Sequence, residues 1–525
     1  MAKVRKRRSR AIGGGDIGVC LTRVHHDRFT EAEPVEDAVR DRLAQRGFSH
    51  EAAVIEALVD VHGPAVVRIE RSSGDPYAAT IDAMEARAAI IVGGRISSPS
   101  RDLVGAPDIL VRNGTGYAAV EVKNHKTSNE AGIPARSVGL GSIADQSGLE
   151  VRFRSGRKRD LLQVAHYWRI LSMIGHASPA PIGGVIGSEE PYHCMWVDLG
   201  AGNDPLIETA ATATDNALEA VRTGSDHPDR PTERACWRSE CDRCDWKELC
   251  KAELTGVDDT TLLRGVRSER RTELAAEGIT TISEIATLAL DDDRVADESV
   301  VRQARALTTG RLLRSDSGTV PIEVPSSPIE VDFDIETYGG RIYLAGFLVT
   351  ENGSSSFDPV CDWVGADESE KVLVEAMFAK LAGYGDAGAI VFHWHSYERT
   401  QLAAAADRHA LMIPGASSVE DWFDEHAIDL LVWTKERFES PNGYSLKTIA
   451  PLSGFNWRDD DPGGLQSEIW YEEMLGGAIE MQQRLLEYNE DDVAAQRAIR
   501  NWIVSQDDGT GAGSAIPSVL AWPIS

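Results

Sequence analysis

The sequence predicts an α/β protein made of several domains. Its 525 residues suffice for about three domains, and 42% hydrophobic and 26% charged residues are ordinary for a globular protein. Strand-like apolar runs alternate with amphipathic helical stretches over residues 1–252 and again over 330–505, whereas residues 253–314 show helical periodicity alone. The Pro- and Ser-rich segment 315–329 is typical of a linker, and the Gly-rich residues 506–525 are predicted to be a flexible tail.

The composition limits the classes of function. A net charge of −29 disfavours passive adhesion to nucleic acid, so such a partner would need local basic clusters. Solvated helix faces are the alternative interpretation of these clusters. The clusters are Arg152, Arg154, Arg157, Lys158 and Arg159, and then Arg264, Arg267, Arg270 and Arg271. No apolar run has the length of a membrane span, and the basic run Lys3 to Arg10 lacks the apolar centre of a signal peptide, so we expect a cytoplasmic protein without a membrane partner.

Several elements of the first α/β region follow from local patterns. Helical periodicity covers residues 33–60 and 158–174. The stretch 126–150 is rich in Gly, Ser and Ala, which predicts a loop. The glycines from Gly13 to Gly18 follow no strand and precede no phosphate-binding lysine, so we interpret this segment as a flexible turn.

A β-hairpin with charged residues is predicted over residues 105–123. Two apolar runs flank Asn113-Gly114, a dipeptide typical of hairpin turns. Asp108 stands at the start of the first strand, and Glu121 and Lys123 share one face of the second. Two carboxylates and a lysine that converge in this way can hold a hard divalent cation and an activated water molecule. For Glu-Val-Lys alone a surface ion pair is the commoner interpretation, so the hypothesis depends on the rest of the chain.

Three further residues complete a recognisable order of motifs. His50 lies in a helix that we expect to open at Gly47, and Gln163 and Tyr167 are one helical turn apart. Each is a weak signal when taken singly. Together with the hairpin residues, and in this order, they resemble the RecB-like branch of the PD-(D/E)XK nucleases over about residues 15–252.

This resemblance implies a restriction-endonuclease-like fold and metal-assisted phosphodiester hydrolysis. The implied ligands of Mg²⁺ or Mn²⁺ are His50, Asp108, Glu121 and the carbonyl group of Val122. Lys123 would position or deprotonate the attacking water. Gln163 and Tyr167 would orient the nucleic-acid strand near its phosphate.

Four of the seven cysteines fall within fifteen residues: Cys236, Cys241, Cys244 and Cys250. In a chain that we expect to be cytosolic, this density indicates metal binding rather than disulfides. The spacing of the last three, with Cys20 as a distant thiol, resembles AddB-like and CRISPR adaptation nucleases. That resemblance implies a [4Fe-4S] cluster on Cys20, Cys241, Cys244 and Cys250. Because Cys236 departs from the pattern, a zinc site on Cys236, Cys241, Cys244 and Cys250 is the alternative.

The middle helices contain two glycine turns, at Gly265 and Gly278. Residues 262–288 resemble a helix-hairpin-helix module, which would hold a DNA backbone through main-chain amides. Arg267 replaces the second glycine of the usual first hairpin, so a plain helical connector between domains is the alternative.

The last α/β region carries a second set of carboxylates. Residues 331–337 form a predicted strand with Asp334 and Glu336 on one face. Tyr488 and Asp492 are one turn apart on a helix predicted over residues 478–504. These two patterns resemble the DnaQ-like, DEDDy exonucleases of the RNase H-like fold, over about residues 330–503.

The resemblance implies four carboxylates that hold two metal ions about 4 Å apart, with Tyr488 orienting the water. Asp334, Glu336 and Asp492 would supply three of them. Glu398, which follows an apolar strand at 389–394, is the predicted fourth, and Asp429 is the fallback. A domain that keeps the fold without catalysis is the alternative.

These features lead to the hypothesis of a nuclease with two active sites. It would be an Mg²⁺- or Mn²⁺-dependent exonuclease on single-stranded DNA ends, with RNA not excluded, in repair, recombination or defence. The combination resembles a bacterial family of RecB-like nucleases. No Walker A sequence occurs, so a helicase would be a separate partner. The alternative function is a non-catalytic nucleic-acid-binding scaffold with a structural zinc site.

Overall fold

The computed structural model describes residues 8–31, 38–70, 74–295, 297–315, 323–459 and 463–507. The first part of the basic run, the linker residues 316–322 and the predicted tail from residue 508 onward lie outside these ranges. The chain forms two compact units, Met1–Glu253 and Leu254–Ser525, here called the first and second unit. Among the helices of the described ranges, none has an apolar stretch long enough to cross a bilayer.

The first unit is built on a mixed sheet of nine strands. Its helices are α1 (Leu21–Phe29), α2 (Ala38–His62), α3 (Pro76–Glu85), α4 (Lys158–Met173), α5 (Leu206–Asp226) and α6 (Lys247–Gly256), the last of which ends just beyond residue 253. Its strands are β1 (Val66–Arg68), β2 (Ile90–Val92), β3 (Ile96–Ser97), β4 (Val104–Gly105), β5 (Ile109–Asn113), β6 (Gly116–Val122), β7 (Ser128–Asn129), β8 (Ile133–Gly139), β9 (Leu149–Phe153), β10 (Ile182–Ile186) and β11 (His193–Asp198). The order across the sheet is β1-β2-β5-β6-β10-β11-β8-β9-β7, and β3 pairs with β4 separately.

The predicted hairpin is confirmed as the antiparallel pair β5–β6. Gly114 has a φ of +58°, a conformation that glycine adopts without strain, and Asn113 pairs with Gly116 beside it. Every residue of β6 is buried, because the strand lies between β5 and β10 and its two faces pack in two apolar cores. The predicted helix 158–174 is confirmed as α4, whose buried face packs on the sheet. This packing brings α4 over the carboxyl end of β6.

Three local expectations for the first unit were wrong. Residues 126–150 are not a loop, since β7, β8 and the start of β9 lie there, and β8 buries Ala135 and Val138 as it pairs with β11. The helix that holds His50 does not open at Gly47, because α2 already runs from residue 38. The segment around Gly14 is a 3-10 helix, Gly14–Asp16, with Gly14 itself buried.

The second unit combines a group of small helices with a six-stranded sheet. Its helices are α7 (Ser268–Ala276), α8 (Ile282–Thr287), α9 (Glu298–Thr309), α10 (Asp367–Asp386), α11 (Tyr397–His409), α12 (Val419–His426), α13 (Leu430–Arg437), α14 (Leu446–Ile449), α15 (Gly464–Leu475) and α16 (Met481–Asp507). Its strands are β12 (Leu313–Arg314), β13 (Ile329–Tyr338), β14 (Arg341–Glu351), β15 (Ser354–Phe357), β16 (Val360–Cys361), β17 (Ile390–His393), β18 (Ala427–Asp429) and β19 (Phe438–Glu439). The sheet order is β15-β14-β13-β17-β18, with β16 also on β14, while β12 pairs with β19 apart from it.

Strand β13 lies at the centre of this sheet and has two different faces. Val331, Phe333 and Ile335 are buried in an apolar core with α10, and Phe333 stacks on Phe347 of β14. The alternate residues therefore face the other side, where α16 crosses β13 and β14. The predicted strand and late helix are confirmed, and their contact brings the acidic residues of β13 toward those of α16.

The small helices α7, α8 and α9 enclose their own apolar core. The turn after α7 contains Gly278 at a φ of +78°. Thr281 begins α8 with a capping box, and the Glu284 carboxylate accepts hydrogen bonds from the amides of Thr280 and Thr281 at 2.7 and 3.0 Å. The Thr280 and Thr281 amides in the turn after Gly278 therefore already donate to the Glu284 carboxylate, which leaves them unable to hold a DNA phosphate at the same time.

Candidate functional site

The second unit gathers three predicted carboxylates into one cluster. Asp334 and Glu336 project from β13, and Asp492 comes from α16. Each offers one oxygen, and these three atoms lie within 4.8 Å of one another. Among the described His, Cys, Asp and Glu residues, no other group of three or more is this tight. We call Asp334, Glu336, Glu398 and Asp492 the carboxylate site.

Neighbouring side chains fix the orientation of each carboxylate. Asn489 donates from Nδ2 to Asp334 Oδ2 at 2.8 Å, and Ser467 donates to Glu336 Oε2 at 2.6 Å. Asp492 Oδ1 accepts two hydrogen bonds, from the Nζ of Lys447 at 2.5 Å and the Nε1 of Trp457 at 2.6 Å. The Lys447 ammonium also lies 4.4 Å from the centre of the Trp457 ring and 4.6 Å from that of Tyr488.

The acidic residues of β13 have different partners and therefore different roles. Asp332 shares the face of Asp334 but is fully buried and paired with Arg500, at 2.7 Å from Oδ2 to Nη2. The Arg500 guanidinium also stacks 3.8 Å from the Phe392 ring centre. Asp332 therefore has a structural ion pair, while Asp334 and Glu336 face the cluster.

Glu398 lies beside Asp334, and Asp429, whose charge also acts on Glu398, is occupied by main-chain amides. Glu398, in the first turn of α11, interacts directly with Asp334 and is 3% exposed; its Oε2 accepts no hydrogen bond from a described residue. Asp429 Oδ1 caps α13 by accepting from the amides of Leu431 and Val432 at 2.9 and 3.1 Å. The turn between β17 and α11 contains His395 at a φ of +98°, a strained conformation that directs the chain into the site.

Burial and mutual repulsion dominate the electrostatics of the carboxylate site. Burial, followed by the charges of Asp492 and Glu398, raises the pKa of Asp334 well above its ordinary value. The pKa values of Glu336 and Glu398 are raised well above the ordinary range, again chiefly by burial. Burial also raises the pKa of Asp492, although Lys447 opposes it. Such a concentration of buried carboxylates is unfavourable without a compensating cation.

A cleft of about 350 Å³ opens onto the carboxylate site. Its walls include Asp334, Glu336, Asp492, Tyr488, Tyr397 and Thr337. The Tyr488 hydroxyl interacts with Asp492, and burial raises the pKa of this tyrosine, so it stays a neutral hydrogen-bond donor. Tyr397 is 42% exposed at the rim, and its hydroxyl lies 2.6 Å from Thr337 Oγ1.

In the first unit, the hairpin residues and α4 form a hydrogen-bonded chain. Lys123 donates to Glu121 Oε2 at 2.7 Å and to Gln163 Oε1 at 3.0 Å. Gln163 in turn donates to the Tyr167 hydroxyl at 2.8 Å. Asp108 Oδ2 accepts from the Val122 amide at 2.8 Å. We call these five residues, Asp108, Glu121, Lys123, Gln163 and Tyr167, the hairpin site.

Charges in the hairpin site are strongly coupled. Burial raises the pKa of Asp108 well above its ordinary value, and the charges of Glu121 and Glu51 add to this. Burial also raises the pKa of Glu121, against the effect of Lys123. Burial opposes the charge of Lys123, but Glu121 and Asp160 outweigh it and raise the pKa of the amine. Lys123 is therefore an ammonium at neutral pH.

The candidate ligand atoms of His50, Asp108 and Glu121 do not lie within 4.8 Å of one another, unlike those of the carboxylate site. Its ring packs edge-on against Tyr192, at 5.6 Å between centroids. Two atoms nevertheless lack partners: His50 Nε2 and Glu121 Oε1 are buried and accept or donate no hydrogen bond among the described residues. Unsatisfied buried polar atoms of this kind are costly and suit a metal ligand.

The glycine-rich segment near residue 14 forms a wall of the hairpin site. A β-carbon on Gly14 would stand 2.7 Å from the Tyr167 hydroxyl oxygen and 2.8 Å from Gln163 Cγ. Arg159 fastens the same segment by donating to the carbonyl oxygens of Gly15 and Ile17 at 2.9 and 3.3 Å. Only a glycine fits at position 14 beside these two side chains.

The distant thiol and three of the clustered cysteines are neighbours. Burial, with the charges of Cys20, Cys244 and Cys241, raises the pKa of Cys250 to about 12. Among the described residues, however, these sulfur atoms do not form a group within 4.8 Å. Cys236 is buried, with its Sγ 3.8 Å from the Trp237 carbonyl oxygen. Trp246 joins the two chain segments by donating to Asp27 Oδ1 at 2.8 Å.

Several residues of both sites had no sequence prediction. Asn489, Gln496 and Arg500 lie on one face of α16 and bond to Asp334, the Phe333 carbonyl and Asp332, so a polar stripe on a buried helix was a usable signal. Glu51 follows His50 directly. The local sequence carried no signal for the roles of Ser467, Lys447 and Trp457, because tertiary packing alone brings them to the cluster.

Comparison with protein families identifies one domain. Residues 331–504 match the model of a family described as RNase_H superfamily. The predicted RNase H-like fold of this region is thereby confirmed, and the chain contains an RNase H-like domain, which indicates a nuclease that acts on nucleic acid. No curated protein matches the chain.

Proposed function

We propose that the chain is a metal-dependent nuclease with two catalytic centres that degrades single-stranded DNA from its ends. The observation that carries this proposal is the cluster of Asp334, Glu336 and Asp492, whose oxygens lie within 4.8 Å inside the RNase H-like domain. The activity belongs to the processing of DNA ends in repair, recombination or defence. A separate helicase would supply unwinding.

The carboxylate site fits divalent metal ions. Its four acidic side chains are hard oxygen ligands, which Mg²⁺ and Mn²⁺ prefer. The buried Glu398 Oε2 without a hydrogen bond supports its role as the fourth ligand, and the capping role of Asp429 argues against the fallback. When bound, such ions activate water and stabilise the leaving oxygen of a phosphodiester.

The surrounding residues have defined tasks in this proposal. Asn489 and Ser467 keep one oxygen each of Asp334 and Glu336 engaged, so that the other oxygens face the cleft. Tyr488, held neutral, would hydrogen-bond the attacking water, as in DEDDy exonucleases. Lys447 balances the charge of Asp492, and its pairing with two aromatic rings fixes its position.

The hairpin site is proposed as the second centre, of the PD-(D/E)XK type. Glu121, Asp108 and His50 would hold the ion, and the partnerless Glu121 Oε1 and His50 Nε2 support this assignment. Lys123 would orient the water, and Gln163 with Tyr167 would orient the phosphate. Glu51, whose charge acts on Asp108, is a further ligand candidate.

We propose a [4Fe-4S] cluster on Cys20, Cys241, Cys244 and Cys250. The charge of Cys20 acts on Cys241, Cys244 and Cys250, which supports the inclusion of this distant thiol in the ligand set. The zinc alternative on Cys236, Cys241, Cys244 and Cys250 leaves Cys20 out. The cluster would fasten the start of the first unit to its last segment.

The test uses the full chain with end-labelled single-stranded DNA and Mn²⁺. We expect degradation that EDTA stops, reduction by Asp334→Asn or Lys123→Ala alone, and loss in the double variant. Asp407→Asn, an exposed carboxylate of the second unit, is the matched control and should act like the wild type. Unchanged degradation by the double variant would refute both sites, and a zinc-containing inactive protein would favour the scaffold. Product ladders from 5′- and 3′-labelled strands give the polarity.

A further inference from the structure

The residues of the two basic clusters differ in whether they have an ion-pair or hydrogen-bond partner. In the second unit, Arg264, Arg270 and Arg271 are paired with Glu439, Glu273 and Asp259. In the first unit, Lys158 is paired with Asp204, and Arg159 is bound to carbonyl oxygens. Of the other four, Arg267 belongs to the second unit. The three in the first unit, Arg152, Arg154 and Arg157, make no ion pair or side-chain hydrogen bond with any described residue.

A fourth cation joins these three through the sheet. β7 pairs with the end of β9, and the Arg154 amide donates to the Thr127 carbonyl oxygen at 2.9 Å. Lys126 directly precedes Thr127, is exposed, and likewise has no ion pair with a described residue. The nearby Glu150 carboxylate is 2.9 Å from Arg136 and is thus occupied. We call Lys126, Arg152, Arg154 and Arg157 the basic patch.

Two chain segments connect the basic patch to the hairpin site. Lys126 lies three residues beyond Lys123. Between them, His125 Nε2 lies 3.1 Å from Asp160 Oδ2 on α4, so this segment is held against the helix that carries Gln163. Arg157 precedes α4 directly, and two turns along that helix Gln163 accepts from Lys123 at 3.0 Å. The amino-terminal end of α4 adds a positive potential to the same place.

We propose that the basic patch binds the phosphate backbone of a single-stranded nucleic acid and leads it to the hairpin site. This inference rests on the proposed nuclease function of that site. In a chain with a net charge of −29, unpaired cations grouped beside a candidate active site give a local field that can hold and orient a polyanion. Interactions with the backbone alone supply affinity without sequence preference.

The test compares two variants of equal net charge. In the first, Lys126, Arg152, Arg154 and Arg157 are all changed to Gln. The matched control changes Arg68, Arg87, Arg112 and Arg230 to Gln, since these are exposed cations of the first unit without a described ion pair. Binding of a fluorescent thymidine oligonucleotide is measured in EDTA over a series of KCl concentrations, and thermal melting confirms that both variants fold.

We expect the patch variant to bind at least about tenfold more weakly, with the slope of log K against log[KCl] reduced by about 0.7 for each phosphate that is no longer neutralised. The control should keep the wild-type slope. In an Asp334→Asn background, the patch variant should also raise KM for degradation with little change in kcat. If the wild type degrades DNA but the patch variant binds the oligonucleotide with the same affinity and KCl dependence as the control, the proposed role of the basic patch is wrong. A wild type that neither binds nor degrades DNA overturns the proposed function instead.

Discussion

Asn489 donates a 2.8 Å hydrogen bond to Asp334 across 155 residues of sequence, while its carbonyl oxygen rests against Gly346. A β-carbon at Gly346 would stand 1.8 Å from that oxygen. The position of one candidate metal ligand therefore depends on the absence of a side chain on a different strand. β13, β14 and α16 are coupled at this point, and the coupling can be measured.

Gly346→Ala should destabilise the second unit by about 3 kcal/mol, because the added methyl group displaces Asn489 from a packed core and breaks its bond to Asp334. Urea unfolding measures this destabilisation. Gly383→Ala is the control, since that glycine lies in α10 with open space around it and should stabilise by about 0.5–1 kcal/mol. A Gly346→Ala protein with wild-type stability would contradict this coupling of the three elements.

The metal-free carboxylate site should make stability depend on pH. The folded-state pKa values of Asp334, Glu336 and Glu398 are raised above those of the unfolded chain. The free energy of unfolding is therefore highest below about pH 4, where these carboxyl groups are protonated in both states. This stability is lost as the pH rises from there through the raised folded-state pKa values, because buried carboxylates then become charged and repel one another. In EDTA the melting temperature should therefore fall as the pH rises through this window, and Mn²⁺ should restore more stability at the higher pH.

Asp334→Asn should flatten this pH dependence, since it removes one of the repelling charges. The variant should melt higher than the wild type in EDTA at neutral pH, by about 1–2 kcal/mol in stability, and gain less from Mn²⁺. Differential scanning fluorimetry with and without Mn²⁺ gives both numbers. Equal Mn²⁺ stabilisation of wild type and variant would remove Asp334 from the ligand set.

Lys447→Met should lower the nuclease activity of the carboxylate site by about tenfold or more. Loss of the ammonium removes the largest influence that opposes burial, although the Trp457 and Tyr488 hydrogen bonds remain, so the pKa of Asp492 rises further and the pH profile moves to higher pH. Lys435→Met is the control, because Lys435 is exposed and lies 5.8 Å from the Tyr444 ring centre rather than in the cluster. The measurement uses a Lys123→Ala background; a loss of activity without a shifted profile would indicate a merely structural role.

Iron content separates the two interpretations of the cysteines. Cys20→Ser should remove iron and the brown colour from the purified protein if the cluster is present. Cys361→Ser is the control, because this residue lies on β16 of the second unit. Cys236→Ser should leave iron in place; if it abolishes metal binding while Cys20→Ser does not, the zinc alternative is correct.

Local sequence signals predicted those elements whose determinants are local. Asn113-Gly114 predicted the hairpin, in which Gly114 supplies the positive φ of the turn and Asn113 is the last residue of β5, and helical periodicity predicted α4 and α16. The error at residues 126–150 has a tertiary cause: Ala135 and Val138 form a strand because β11 offers an edge to pair with. The sequence of residues 126–150 contains no local pattern that predicts the free edge of β11.

The same distinction applies to the candidate sites. The spacing of Asp334 and Glu336 on a strand, and of Tyr488 and Asp492 on a helix, predicted which residues meet. The position of Glu398 depends on the backbone at His395, whose positive φ no sequence pattern requires. Lys447 and Ser467 come from separate segments, so their contacts follow only from the packed structure.

The wall that Gly14 forms beside Tyr167 bears on how the protein is produced for study. A shortened chain that starts beyond this glycine would keep Asp108, Glu121 and Lys123 yet leave the tyrosine ring bare on one side. Such a preparation would also lose Ile12, which is fully buried in the apolar core of the first unit and bonds to the Val104 amide. Recombinant work on the first unit should therefore retain the residues from Arg8 onward, since inactivity of a trimmed protein would say nothing about its ligands.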